Sequence, residues 1–100
     1  VGYNIHGREV DEATVADALV VVESRATALA APPAGATEIT DEREVHAEIG
    51  ELVAGTRPGR TSPDQITLYK SVGVAVQDAA AAALVLAAAR ERGAGTEISL

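Results

Sequence analysis

The stretch "TSPDQITLYKSVGVAVQDAAAA", Thr61 to Ala82, decides how this chain folds. It opens with turn residues. Ser62, Pro63, Asp64 and Gln65 form a capping-box pattern with proline at the first helical position. Ile66, Thr67, Leu68 and Tyr69 favour a strand instead. The reading adopted is one turn followed by a strand from about Ile66 to Lys70. From Val72 to Arg92 the pattern predicts a single helix ~31 Å long at 1.5 Å per residue. Ser71-Val72-Gly73 therefore lie where a buried strand becomes a helix. Backbone N–H groups at a helix start are unpaired and partly positive. A serine there can cap the helix or hydrogen-bond a polar ligand. A glycine leaves room for close approach.

Working outward, "LVVVES" places four consecutive apolar residues, Leu19 to Val22, three of them β-branched. That composition predicts a strand buried on both faces, as in a parallel sheet. Before it, Asp11 is placed to cap a helix running to about Ala18, with Glu12 in its first turn. Helix followed by buried strand is half of a βαβ pattern. After it, Ser24 is placed to cap a short helix, "RATALA". The loop "APPAGATEIT" follows, punctuated by Pro32, Pro33 and Gly35. Thr40 is then read as the cap of a second helix. Asp41 and Glu42 lie in its first turn, and Val45, Ile49, Leu52 and Val53 at helical spacing. Gly55 ends it, and Gly50 weakens it.

Alanine dominates the long helix after Val72, and "DAAAAALVLAAA" is apolar nearly all round. Such a helix is expected to be buried on most sides. Arg90 and Arg92 complement its negative end, and Gly93 is placed as the C-terminal cap. "GTEISL" reads as a final short strand, and "VGYNIHGREV" as the end of a strand entering a loop.

The totals bound the function. One hundred residues make one small domain. Hydrophobic residues are 47% of the chain, but Tyr3 and Tyr69 are its only aromatics. A core of alanine and valine gains less than one of leucine and phenylalanine at about 25 cal/mol per Å². The chain is expected to lean on a partner, a second copy or a further part of itself. A net charge of −7 argues against nucleic acid and against anionic membranes. Zero cysteines exclude disulfides and thiolate metal sites. His6 and His46 have no ligand-spaced neighbours, so no metal site is expected. Glu44, Glu48 and Glu51 read as a solvated face, and Arg57 and Arg60 as part of a surface loop. The apolar run Ala79–Ala89 is too short and alanine-rich to span a bilayer.

Several segments match one family in order and spacing. They are "VGYNIHGREVD", "ALVVVESRATAL", "HAEIGELVAGTRPGRTSPDQITLYKSVGVAVQD" and "RERGAGTEISL". Together they resemble the C-terminal part of the ornithine cyclodeaminase/mu-crystallin family, over nearly the whole chain. The resemblance implies an α/β fold: the later half of a Rossmann-type parallel-sheet domain over residues 1–71. A crossover helix and final strand over residues 72–100 would return to a second domain, for substrate and dimerisation, absent from this chain. It implies NAD or NADP as cofactor, a small amino or imino acid as substrate, and a cytoplasmic location. It also implies a homodimer or association with an N-terminal part. The implied activity is that of an NAD(P)-dependent amino-acid dehydrogenase, imine reductase or cyclodeaminase transferring hydride at the amine-bearing carbon. The other readings are a non-enzymatic, crystallin-like binding protein and an inactive stand-alone fragment.

Residue by residue, the resemblance places Val1, Gly2, Tyr3 and Asn4 against the cofactor near its nicotinamide half. Asn4 takes the position of a catalytic Asp in ornithine cyclodeaminases. Arg8 belongs to the implied cofactor site, Ser71 to the nicotinamide contact and Val72 to the substrate contact. Three departures stand out. Asn4 cannot exchange a proton as a carboxylic acid can, which favours plain dehydrogenase or imine reductase chemistry. His6 and a shortened loop replace the family's Pro-Gly-Lys type segment. No Gly-x-Gly-x-x-Gly fingerprint is present, nor the residue that separates NAD from NADP, nor a basic segment for a substrate carboxylate. The chain is therefore expected to be the C-terminal portion of a longer enzyme and inactive alone.

Overall fold

The computed structural model describes residues 7–99. Its first helix, α1 (Glu12–Asp17), leads into β1 (Leu19–Val22), and α2 (Arg25–Ala28) follows. A 3-10 turn over Glu42–Glu44 precedes β2 (Ala47–Glu48), which runs directly into α3 (Ile49–Val53). The last strand is β3 (Thr67–Lys70), and the last helix is α4 (Ala75–Arg92). The sheet order is β2-β1-β3, with both pairings parallel. Val22 faces Glu48 on one side and Lys70 on the other. All three strands thus end together, and the residues after Val22, Glu48 and Lys70 share one carboxyl edge.

The central strand is β1, as its unbroken apolar run requires, and Val20, Val21 and Val22 are all buried. Val20 and Val22 join Leu68 on one sheet face. They pack with Val15 of α1, Ala28 of α2, and Ala36, Ile39 and Val45 from the long connection. Asp11 caps α1 as expected, accepting from the Thr14 N–H at 2.8 Å. Ser24 stands at the N-cap of α2, but its side chain does not cap it. Glu48 does so from the neighbouring strand, its Oε1 accepting from the Arg25 N–H at 2.7 Å.

The helix expected from Thr40 to Val53 forms only over its last turn, Ile49–Val53, and ends before Gly55. Asp41 is the cap of a single 3-10 turn, with Glu44 reaching back to the N–H groups of Thr40 and Asp41. The chain then extends, because the His46 N–H donates to the Val20 carbonyl and Ala47 becomes a fully buried strand residue beside Val21. Pairing with the central strand outweighs the weak helical propensity here. Helix resumes only at Ile49.

Two further expectations are corrected at the C-terminal end. The helix begins at Ala75, because Ser71 to Val74 are not helical after β3: Gly73 has a positive φ, and Val74 is the extended N-cap. No strand forms among the described residues after Gly93. A strand needs a ladder partner, and no strand of this sheet reaches that segment. Gly93 is the C-terminal cap residue, in the left-handed conformation with φ 60°. The helix α4 buries none of its residues within this chain, and Val76, Leu84, Val85 and Leu86 are exposed. The Cα radius of gyration is 17.0 Å, against about 13 Å for a compact chain of this length. The long helix stands away from the sheet, touching it through Gln77, whose Nε2 donates to the Tyr69 hydroxyl. No helix of the described residues is long and apolar enough to cross a membrane.

Candidate functional site at the carboxyl edge of the sheet

Ligands of open α/β sheets sit beyond the carboxyl ends of the strands. Here that edge is assembled from Glu23 and Ser24 after β1, Glu48 at the end of β2, and Ser71-Val72-Gly73 after β3. The junction after β3 is small and open. Gly73 has φ +85°, and a Cβ built there would meet no atom within 4 Å. Ser71 is not a helix cap. Its Oγ accepts from the Gly73 N–H at 3.1 Å, which leaves its own hydrogen to donate elsewhere.

The junction is held by Glu23. Its Oε1 accepts from the Val72 N–H at 2.7 Å and from the Gly73 N–H at 2.9 Å. The other oxygen, Oε2, is buried without a hydrogen-bond partner among the described residues. A carboxylate thus occupies the backbone donors that an anion would otherwise use. The junction offers a hydroxyl donor and open space, and repels phosphate. It suits an uncharged or cationic group, and not a phosphate.

Behind the junction lies a buried ion cluster. Lys70 is 1% exposed. Its Nζ is 2.7 Å from Glu9 Oε2 and 3.4 Å from Glu38 Oε2. Glu38 is itself buried, and its Oε1 accepts from the Glu9 N–H. Burial pushes the Glu38 carboxyl up, but the backbone N–H bonds of Glu9 and Glu38 and the Lys70 charge outweigh it, and its pKa is lowered. The cluster ties the segment after residue 7 to the end of β3.

A second network closes the other side of the edge. Arg25 donates to Glu51 Oε2 at 2.9 Å, and the same oxygen accepts from the Glu48 N–H at 2.8 Å. The Glu48 N–H bond first, and then Arg25, hold the Glu51 carboxyl below its usual value. Glu44 is exposed, as a solvated face requires, but Glu48 and Glu51 are half-buried, and each of the three accepts a backbone N–H. Arg57 is pinned by the His46 carbonyl at 2.7 Å, and Arg60 by Thr67 Oγ1 at 3.1 Å. His46 Nε2 lies 2.7 Å from the Pro58 carbonyl. Among the described residues, no group of His, Cys, Asp or Glu could hold a metal ion.

Of the residues singled out in the sequence, Ser71 and Val72 lie at this edge, and both are half-buried. Arg8 pairs with Glu12 at 2.6 Å on the surface, at the start of α1. The surface hollow beside Arg8 runs along Glu9 to Ala13, away from Ser71. Arg8 and Ser71 are linked through their neighbours, the Glu9–Lys70 ion pair. Val1, Gly2, Tyr3 and Asn4 lie outside the described residues. Sequence reasoning missed Glu23, Lys70, Glu9 and Glu38. For Lys70 a signal existed: it shares the strand parity of Leu68, so it points inward.

The chain as a whole is similar to known proteins. The family model described as ornithine cyclodeaminase/mu-crystallin family matches residues 3–93. A Δ1-pyrroline-2-carboxylate reductase of Bacillus cereus is 38% identical over 85 residues, 79% of this chain and 26% of the relative. A ketimine reductase mu-crystallin of Macropus fuliginosus is 37% identical over 78 residues, 78% of this chain and 23% of the relative. Among solved structures, Thermococcus litoralis Δ1-pyrroline-2-carboxylate reductase in complex with NADH and L-proline superposes with a TM-score of 0.75. It is 37% identical, and the match covers 94% of this chain and 30% of that one. An archaeal alanine dehydrogenase dimer with bound NAD gives a TM-score of 0.69 at 32% identity, over 93% of this chain and 30% of that one. The chain spans between about a quarter and a third of the length of these relatives.

Proposed function

The chain belongs to the ornithine cyclodeaminase/mu-crystallin family, and from that premise we propose that it is the later part of an NAD(P)-dependent oxidoreductase acting on a small amino or imino acid. Hydride would move to or from the carbon that bears the amine. Residues 1–71 form the later half of the dinucleotide-binding domain on this reading. Residues 72–100 cross back to a second domain, which carries the substrate and the contacts of a homodimer. The enzyme is placed in the cytoplasm, and the isolated 100-residue chain is inactive.

The observation that carries the reading is the junction after β3. Small residues, open space above Gly73 and an available Ser71 hydroxyl hydrogen meet at the carboxyl edge, while Glu23 withdraws the backbone donors from any anion. A bound nicotinamide supplies or accepts the hydride. Ser71 donates a hydrogen bond that orients the ring end, and Val72 gives the substrate an apolar wall. Asn4 hydrogen-bonds polar substrate groups without exchanging a proton. Reduction of an imine or oxidation of an amine is accordingly favoured over cyclodeamination of ornithine.

The test is a nicotinamide assay of the full polypeptide that carries this segment. NADH and NADPH are offered with Δ1-pyrroline-2-carboxylate, and with pyruvate plus ammonia. Ornithine is offered with NAD. Oxidation of the reduced cofactor by one of the first two, with no ammonia released from ornithine, is expected. Ammonia release from ornithine at a comparable rate would overturn the substrate preference. Silence with every pair would overturn the reading as a whole.

A further inference from the structure

We propose that Glu23 is a positioning residue for the reaction: it sets the backbone of Ser71-Val72-Gly73 and so aims the Ser71 hydroxyl at the nicotinamide. The inference rests on the reading above and deepens it. Glu23 does not continue the apolar run of β1, and it is not spent on the solvent. Its Oε1 gathers two consecutive N–H groups from a segment 49 and 50 residues further along the chain. The two N–H groups converge on that one oxygen, and directly after them the chain turns at Gly73, whose φ is +85°. The Gly73 N–H is shared with Ser71 Oγ. The same geometry therefore engages the serine oxygen as an acceptor and leaves its hydrogen to donate elsewhere.

The second oxygen bears on what the side chain is for. Glu23 Oε2 is buried with no hydrogen-bond partner among the described residues. A buried acceptor without a partner opposes folding, so Glu23 is a poor choice for stability alone. Glutamine has the same length and an acceptor in the place of Oε1. Alanine has no acceptor, and aspartate is one methylene short of the two N–H groups.

The experiment compares wild type with Glu23→Gln, Glu23→Asp and Glu23→Ala by two readouts. The first is amide hydrogen exchange at Val72 and Gly73, which needs no activity. The second is KM against kcat for the nicotinamide in the full polypeptide. Exchange at both amides should quicken about tenfold or more in Glu23→Ala and Glu23→Asp and return toward wild type in Glu23→Gln, as expected for a lost hydrogen bond. KM for the nicotinamide should rise about tenfold in the same two variants, and Glu23→Gln should recover most of it. Unchanged exchange in Glu23→Ala and Glu23→Asp overturns the contact. Faster exchange with an unchanged KM and a lower kcat overturns the positioning role, because lost folding lowers the active fraction without moving KM. Should Glu23→Ala fail to fold, Glu23→Asp decides between these outcomes. A wild type that consumes no nicotinamide, with exchange responding as expected, overturns the functional reading and the positioning role with it. The Glu23 bonds would then be a contact of the fold.

Discussion

Lys70 carries the clearest lesson at the scale of single residues. Its side chain is 2% exposed between Glu9 and Glu38, and the Glu38 side chain is 2% exposed as well. A buried ion group of this kind adds little over an apolar filling, but removing one partner leaves the others charged and unsolvated. Lys70→Met should therefore cost about 3–5 kcal/mol in urea unfolding. Adding Glu38→Gln to Lys70→Met should return part of that loss, because one uncompensated carboxylate is gone. A single Lys70→Met that unfolds like wild type would place the cluster in contact with water.

The carboxylates give the same region a pH dependence. Glu38 and Glu51 have lowered pKa values in the fold, against an ordinary value of 4.5. A lowered folded value means that the unfolded chain takes up protons first on acidification. Their stabilisation is complete above pH 4.5 and is lost as the pH falls through the folded values. Asp41 belongs to the same class, its carboxyl lowered to about 2 by hydrogen bonds from the Arg43 side chain and backbone. Thermal melts followed by circular dichroism should show Tm falling steeply below pH 4.5. Glu38→Gln should melt lower at neutral pH, yet lose less of its Tm on acidification.

Among the elements, the connection between α2 and β2 shows how a loop can be as constrained as a strand. Gly35 packs so close to the end of α2 that a Cβ would lie 2.0 Å from the Ala30 carbonyl oxygen and 2.9 Å from that of Ala28. The Ala36 N–H donates to the same Ala28 carbonyl at 2.7 Å. Gly35→Ala must push backbone apart, and about 1–3 kcal/mol of destabilisation is expected in denaturant melts. This loop also shows what local sequence hides. The strand β1 was legible because four apolar residues in a row have few other uses, and β3 because Ile66 to Tyr69 favour extension. Gly93 was legible as a cap. The segment from Thr40 to Val53 was misread because Val45, Ile49, Leu52 and Val53 do fall at helical spacing. The decisive fact, pairing of His46 and Ala47 with the central strand, is made by residues far away in the chain. For the same reason Ser71 was legible as a junction residue, while Glu23, 49 residues before Val72, was not.

For the whole molecule, one central parallel strand with short neighbours and a projecting α4 describes part of a sheet domain and not a closed body. Parallel sheets are ordinarily covered on both faces. Here Ile49 and Tyr69 on the face away from the core are partly exposed, and α4 covers neither face. The relatives are three to four times longer than the segment matched, and their remaining length is where such cover would come from. The carboxyl edge, where Glu23 holds the Val72 and Gly73 N–H groups beside Ser71 and Lys70 lies behind, is the part of the proposed site that the described residues supply.

The account is tested most directly by following the hydride itself. The full polypeptide would be given reduced nicotinamide carrying deuterium at its hydride-donating carbon, with Δ1-pyrroline-2-carboxylate as acceptor. The proline formed would then be read by mass spectrometry and proton NMR. One deuterium on the carbon that bears the amine, with cofactor oxidised in equal amount, is the predicted result. Proline without deuterium at that carbon, or no amino acid formed from this or any other imino acid, would contradict it.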